Sequence, residues 1–134
     1  MINSNKFIKD FQNILKDYTI GYEDEPEIIL FRPDNSTSIH LWDGYFTFIM
    51  NAINATKIEW TGFTKDYHEL VRSFDQKGIY TISHNKLKEY IKDWTQYYHC
   101  KFNSEETREV YLMILAFLMK AHDDQQNIVV QYIR

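Results

Sequence analysis

The sequence predicts an α+β fold in which helices dominate and one strongly apolar helix lies at the centre. Three observations predict it: an unbroken apolar run over residues 110–119, amphipathic helix patterns before it, and two short β-prone segments within residues 27–42. The apolar run is too short for a bilayer, which needs about 20 apolar residues, so protein must cover it. We expect residues 1–134 to form a single domain, because one domain typically spans about 100–200 residues.

The central helix is predicted over residues 104–121. Asn103 and Ser104 both offer N-cap oxygens, and Glu105, Glu106 and Glu109 lie where the positive end of the helix macrodipole favours carboxylates. Lys120 stands near the other end, where a cation is favoured. Because the apolar side chains point in every direction around this helix, we expect other elements to surround it.

Three further helices are predicted from apolar residues at three- and four-residue spacing. The first covers residues 4–18, the second covers residues 64–75 after an extended connection over residues 57–63, and the third covers residues 83–98. In the third, Ser83 is the expected N-cap. The apolar faces comprise Phe7, Ile8, Phe11, Ile14, Leu15 and Tyr18 in the first helix, Tyr67, Leu70, Val71 and Phe74 in the second, and Leu87, Ile91, Trp94 and Tyr98 in the third.

The strands are predicted to form a small antiparallel hairpin over about residues 27–42. Its two β-prone runs, 28–31 and 38–42, flank the turn-forming residues 33–36. Residues 78–82 and 126–133 also have strand composition and are candidates to extend the hairpin into a sheet.

Residues 44–54 allow two interpretations. Asp43 and Gly44 between apolar runs are typical of a type I′ turn, which would make the following residues a third strand. Asp43 is equally a suitable N-cap for a helix with an apolar stripe through Tyr45, Ile49 and Ile53. The run continues to Asn54 without a turn, so we predict a helix.

Composition predicts a cytoplasmic protein without a membrane segment. The 44% hydrophobic and 16% aromatic content suits a packed core rather than a disordered chain. A single cysteine, Cys100, excludes an internal disulfide framework, and the N-terminal residues lack the apolar core of a signal peptide.

No catalytic, cofactor or metal-binding motif is evident. His68 lacks the second histidine of a zincin helix, because Arg72 stands at that position. His122, Asp123 and Asp124 are the one candidate for a metal-dependent hydrolase, but no partner ligands appear at convincing spacing, and a solvated helix end explains them better. We therefore expect a binding protein rather than an enzyme, with no cofactor.

A nucleic-acid-binding or regulatory module using helix 83–98 is a second possibility. Phosphate neutralisation and base stacking would use lysines that lie among tyrosines. In and around this helix these are Lys86, Lys88, Lys92 and Lys101, and Tyr80, Tyr90, Tyr97 and Tyr98. Glu89 and Asp93 on the same helix oppose that interpretation, and so does the acidic chain as a whole. We expect no nucleic-acid partner.

Acidic residues are concentrated in one short segment. Residues 23–34 carry five carboxylates against one cation, Arg32, and this net charge of −4 equals that of the entire chain. The predicted partner-binding residues are these carboxylates and the tyrosine that precedes them, namely Tyr22, Glu23, Asp24, Glu25, Glu27 and Asp34. A solvated surface loop without function is the simpler interpretation, and a docking surface for a basic protein is the functional one.

Small size, a concentrated acidic segment and abundant tyrosine and tryptophan resemble the composition of toxin-immunity proteins. They carry no motif of a particular family. The functional hypothesis is an immunity-type inhibitor that neutralises a cognate, basic, nuclease-type bacterial toxin through its acidic surface.

Overall fold

The computed structural model describes residues 15–53, 61–69 and 78–133. The elements, in chain order, are β1 (Leu15–Tyr18), β2 (Glu27–Phe31), β3 (Ser38–Trp42), α1 (Asp43–Ile53), α2 (Gly62–Glu69), β4 (Ile79–Ile82), a 3₁₀ turn (His84–Lys86), α3 (Leu87–Thr95), α4 (Glu105–Asp123) and β5 (Ile128–Ile133). The predicted α+β class is confirmed: the described residues form four helices and a five-stranded mixed sheet.

The strands are ordered β1-β3-β2-β5-β4. The predicted hairpin is confirmed: β2 pairs antiparallel with β3, with Ile29 opposite His40. Both candidate extensions are confirmed as well, because β5 pairs antiparallel with β2 and β4 pairs antiparallel with β5. β1 adds to the other edge, parallel to β3.

The two faces of the sheet have different neighbours. Alternate side chains of a strand point to opposite faces, and on the inner face they join the helices in one core. The inner residues are Ile28, Leu30, Ile39, Leu41, Ile82, Ile128 and Val130, all buried. The opposite face is called the outer face below.

Helix α4 is the centre of the core, as predicted. Ser104 caps it, because its Oγ accepts a hydrogen bond from the backbone N–H of Thr107 at 3.1 Å. Every residue from Met113 to Met119 is buried. Reciprocal hydrogen bonds join α4 to α3: the Trp94 indole donates to the Tyr111 carbonyl at 3.1 Å, and the Tyr111 hydroxyl donates to the Trp94 carbonyl at 2.7 Å.

The ambiguous segment after the hairpin is helical, so the alternative of a type I′ turn and a third strand is wrong. α1 begins at Asp43, directly after β3. The Asp43 N–H donates to the Pro26 carbonyl at 3.0 Å, which holds the start of the helix against the segment that precedes β2.

The predicted first helix is wrong at its C-terminal end. Residues 15–18 form β1, and the remainder of the prediction, residues 4–14, lies outside the described residues. Leu15 and Tyr18 fit a helical stripe, but so short a run is not decisive. Backbone pairing with β3 at the open sheet edge decides the conformation.

Two other boundaries differ from prediction. Gly62 and Phe63 belong to α2 rather than to an extended connection, and residues 57–60 and 70–75 lie outside the described residues. Ser83 does not cap through its side chain; its hydroxyl donates to Asn85 Oδ1 at 2.7 Å, and a 3₁₀ turn precedes α3.

Asp93 on α3 is buried, with only 1% of its surface exposed. Its carboxylate accepts hydrogen bonds from the N–H of Thr64 at 3.1 Å and the hydroxyl of Thr64 at 2.7 Å, so it caps the first turn of α2 from another helix. In the described part of the chain, no helix combines the length and apolarity needed to cross a membrane.

Candidate protein-binding surface

The first part of the predicted acidic segment lies in the connection between β1 and β2, which begins with a tight turn. The Tyr22 N–H donates to the Thr19 carbonyl at 2.8 Å, and Gly21 has a φ of 92°. A positive φ at the third position is typical of a type II turn, which glycine adopts without strain. This turn projects Ile20, whose side chain is 77% exposed. We call residues 19–26 the acidic loop.

The carboxylates of the acidic loop face solvent. Glu23, Asp24 and Glu25 are exposed, and no described Lys, Arg or His lies in an ion pair with any of them. A hydrogen bond from the Gly21 N–H to Glu23 Oε1, 3.0 Å long, lowers the pKa of the Glu23 carboxyl. The loop therefore carries negative charge that pairs with no described cation, next to the exposed side chain of Ile20.

Tyr22 of the acidic loop packs against Trp42 and Tyr45, and we call these three rings the aromatic group. Tyr22 stacks on Trp42 with ring centroids 3.9 Å apart and an interplanar angle of 1°. Tyr45 meets both rings edge-on, with centroids 5.9 Å from Tyr22 and 5.3 Å from Trp42. Because Tyr45 is buried in the core, the aromatic group fixes the loop to α1.

Glycine at position 44 is what allows the Trp42 ring to occupy this place. A Cβ at Gly44 would lie 2.2 Å from Trp42 Cζ2, far inside van der Waals contact. The tryptophan ring therefore lies between the backbone of α1 and the Tyr22 ring.

The start of α4 brings further carboxylates to the same region. The Tyr45 hydroxyl donates to Glu106 Oε1. Burial raises the pKa of Tyr18, and the nearby Glu109 raises it further. Glu106 and Glu109 are exposed. Sequence reasoning assigned the first-turn acids of α4 to the helix dipole alone, and no spacing pattern could link residues so distant in sequence to the acidic loop.

Glu27 stands where the acidic loop joins the sheet. Its Oε2 is 3.9 Å from Nδ1 of His40 on β3. Asp17 on β1 lies opposite His40 in the strand register. Hydrogen bonds from Thr19, first from its side chain and then from its backbone, lower the pKa of the Asp17 carboxyl. These residues continue the acidic loop onto the outer face.

Asp34 is at the opposite end of β2 from the other predicted binding residues. Its Oδ2 is 3.0 Å from Nη2 of Arg32, and its Oδ1 accepts from the backbone and hydroxyl of Ser36. Arg32 is only 7% exposed and also donates to Asp124 at 2.7 Å. The structure thus brings Tyr22, Glu23, Asp24, Glu25 and Glu27 together and places Asp34 in a separate ion-pair network.

The residues of the hydrolase alternative do not form a cluster. Asp124 takes hydrogen bonds from Arg32 and Lys120, and the first of these lowers the pKa of its carboxyl most. Among the residues that the structure describes, no three His, Cys, Asp or Glu side chains are arranged to hold a metal ion.

The tyrosines of the nucleic-acid alternative are engaged within the protein. Tyr97 is buried, with its hydroxyl 2.8 Å from Thr64 Oγ1. Arg108 covers the Tyr98 ring, with its guanidinium carbon 5.4 Å from the centroid. The buried Tyr97 ring is therefore unavailable for stacking on bases, whereas the Tyr98 ring is partly exposed. Lys88 and Lys92 of α3 are exposed, with Glu89 between them.

Comparisons of the chain with protein-family models, with curated proteins and with solved structures found no match.

Proposed function

We propose that this protein is an immunity-type inhibitor that binds and neutralises a basic, nuclease-type bacterial toxin. The observation that carries the proposal is the acidic loop, where the exposed side chain of Ile20 is followed by exposed carboxylates that form no ion pair with a described residue. Complementary charge accelerates encounter and selects the partner, and a desolvated apolar centre supplies affinity.

The support beneath the loop favours binding over a passive surface. A loop held in its bound shape loses less conformational entropy on association. The flat stack of Tyr22 on Trp42 and the turn at Gly21 provide that restraint. Glu106 and Glu109 extend the negative region toward α4, which suits a partner with several cationic side chains.

The test uses the product of the gene adjacent to this one, co-expressed and purified with the full chain. We expect a complex, and we expect co-expression to suppress the toxicity of that product. Reversal of four charges, Glu23→Lys, Asp24→Lys, Glu25→Lys and Glu27→Lys, is expected to weaken binding at least about a hundredfold, as charged interface residues typically do. Ile20→Asp is expected to weaken binding without altering the aromatic group beneath it.

A matched control reverses exposed acids elsewhere. Glu89→Lys with Asp123→Lys changes the net charge by the same amount as Glu23→Lys with Asp24→Lys, yet both residues lie away from the acidic loop. The control pair should bind normally at physiological salt. If both double variants lose the same affinity, the effect comes from net charge and not from the acidic loop. If the fourfold variant binds as tightly as the wild type, the acidic loop is not the interface.

A further inference from the structure

Helix α3 presents a row of polar side chains on the side that faces away from the core. Residues three and four positions apart are neighbours on a helix surface, and this spacing aligns four exposed residues, namely Asn85, Lys88, Lys92 and Gln96. The row begins in the 3₁₀ turn before α3 and ends at the C-cap residue of the helix. The buried residues Leu87 and Trp94 lie on the opposite side. We call these four residues the polar row.

The cations of the polar row are not neutralised by described carboxylates. Lys88 and Lys92 form no ion pair with a described residue, and the same holds for Lys86, which directly precedes α3 and is exposed. Glu89 is the one exposed carboxylate of α3 and lies at the flank of the row. From residue 86 to residue 92, three exposed lysines therefore stand against one exposed carboxylate.

Asp93 does not belong to this exposed surface. The sequence counts it among the acids that oppose the lysines of α3, but its carboxylate is directed at α2. There it accepts hydrogen bonds from the N–H and the hydroxyl of Thr64, and only 1% of Asp93 is exposed. The structure thus removes one of the two carboxylates that the sequence places against binding of phosphates by this helix.

The composition of the polar row fits the phosphodiester backbone of a nucleic acid. Lysine, asparagine and glutamine side chains all donate hydrogen bonds to phosphate oxygens. A protein interface would need an apolar or aromatic anchor at its centre. In the described chain, the large apolar residues that are exposed are Ile20 in the acidic loop and Ile79 on β4, and neither belongs to α3.

The length of the polar row suits several phosphates. From Asn85 to Gln96 the helix rises about 16 Å, at 1.5 Å per residue. Consecutive phosphates of one strand are about 3.4 Å apart along a duplex, so the row would run beside about five of them. Because no aromatic residue belongs to the row, we expect contacts to the backbone without base stacking, and contacts of this kind carry no direct sequence information.

We propose that the polar row of α3 binds the phosphodiester backbone of nucleic acids without sequence preference. Lys88 and Lys92 neutralise phosphates, and the amides of Asn85 and Gln96 donate hydrogen bonds to phosphate oxygens beside them. This inference is independent of the proposed function, because none of these residues belongs to the acidic loop.

The test measures fluorescence anisotropy of labelled oligouridylate and of a labelled DNA duplex on titration with the full chain, over a series of salt concentrations. We expect binding at low salt that weakens as salt rises, because the phosphates release counterions when lysines bind them. The probe that binds more tightly identifies the preferred form, single strand or duplex.

The variants separate the polar row from net charge. Lys88→Gln and Lys92→Gln should each reduce the slope of log affinity against log salt by about 1. Together they should weaken low-salt binding at least about tenfold. Lys101→Gln, which makes the same change in charge at an exposed position outside α3, should leave the slope nearly unchanged. Glu89→Gln should tighten binding, because it removes the carboxylate beside the row.

Three results would overturn the proposal. The first is no binding of either probe to the wild type at low salt. The second is an equal effect of Lys88→Gln and Lys101→Gln, because binding would then follow the net charge of the chain. The third is displacement of the probes by polyglutamate as effectively as by unlabelled oligouridylate of equal charge, because the row would then be a surface for acidic proteins.

Discussion

The two ends of the β2–β3 hairpin use carboxylates in opposite ways. At the turn end, Asp34 and Asp124 converge on the buried guanidinium of Arg32. At the other end, Glu23, Asp24 and Glu25 are exposed and form no ion pair with a described residue. The comparison separates charge that holds elements together from charge that faces solvent, to which we propose that a partner binds. Residue type alone does not distinguish the two roles.

The largest expected effect comes from removing the shared cation. Arg32→Met retains the aliphatic stem of the side chain but removes the cation that the two carboxylates share, so that Asp34 keeps only Ser36 and Asp124 keeps only Lys120 as a described side-chain donor. We expect a loss of about 2 kcal/mol in the free energy of unfolding, because hydrogen bonds to charged groups contribute about 1.5–3 kcal/mol. Chemical denaturation measures it, and Arg32→Lys should recover only part, since an ammonium lacks the fork of a guanidinium. If Arg32→Met is as stable as the wild type, the carboxylates at the turn end do not stabilise the fold, and the contrast between the two ends of the hairpin disappears.

At the end of the hairpin beside the acidic loop, we expect the largest loss of stability from a substitution at Gly44. Gly44→Ala puts a methyl group where the Trp42 ring lies, so we expect a loss of about 1 kcal/mol in stability from overpacking. It should also change the near-ultraviolet circular dichroism of the Tyr22–Trp42 stack and weaken binding of the proposed partner.

The double variant Gly44→Ala with Trp42→Phe shows whether the clash is the cause. The smaller ring makes room for the methyl group, so the two changes together should cost less than the sum of each alone. Strict additivity would contradict the contact.

Lowering the pH should weaken the ion pair between Arg32 and Asp124 at the turn end of the hairpin. The Arg32 hydrogen bond lowers the pKa of the Asp124 carboxyl in the folded state, so the folded protein binds this proton less readily than the unfolded chain does. Its stabilising contribution is present above the unfolded pKa, about 3.9, and is lost as pH falls through the folded value.

Unfolding measured between pH 6 and pH 2 should therefore show a flatter pH dependence for Asp124→Asn than for the wild type. Asp123→Asn removes a neighbouring carboxylate that has no ion pair with a described residue, and it should follow the wild-type curve. Identical slopes for the wild type and Asp124→Asn would show that the ion pair does not stabilise the fold.

The smallest effect on stability is expected for charge reversal in the acidic loop. Asp24→Lys and Glu25→Lys alter exposed side chains, and surface substitutions of this kind usually leave stability nearly unchanged. The denaturation midpoint should stay within experimental error of the wild type, while binding of the proposed partner is lost. A large shift in the denaturation midpoint would mean that these carboxylates stabilise the fold, as we expect of Asp34 and Asp124.

Much of the fold was predictable because local signals agreed with tertiary packing. The Ser104 cap, the all-round apolarity of α4 and the β-prone hairpin each specify one structure. β1 was not predictable, because so short a run fits the periodicity of a helix as well as that of a strand. Its pairing with β3 determines its conformation. The burial of Asp93 depends on α2, whose approach leaves no trace in the α3 sequence.

For the candidate surface, charge counting located the acidic loop but not its limits. It grouped Asp34 with Glu27 by proximity in sequence, although β2 separates them in space. It did not single out Ile20, whose exposure depends on the turn at Gly21. The contributions of Glu106 and Glu109 depend on Tyr45 and Tyr18, residues of other elements.

The position of β5 in the sheet has a consequence for how the chain folds. β5 is the last strand along the described chain, yet it lies between β2 and β4 and pairs with residues about a hundred positions earlier. Contacts so distant in sequence form slowly, because a long loop must close before they stabilise anything. During synthesis, the β2 edge of the β2–β3 hairpin lacks its partner until β5 has been made. In that interval the edge can pair with a wrong strand.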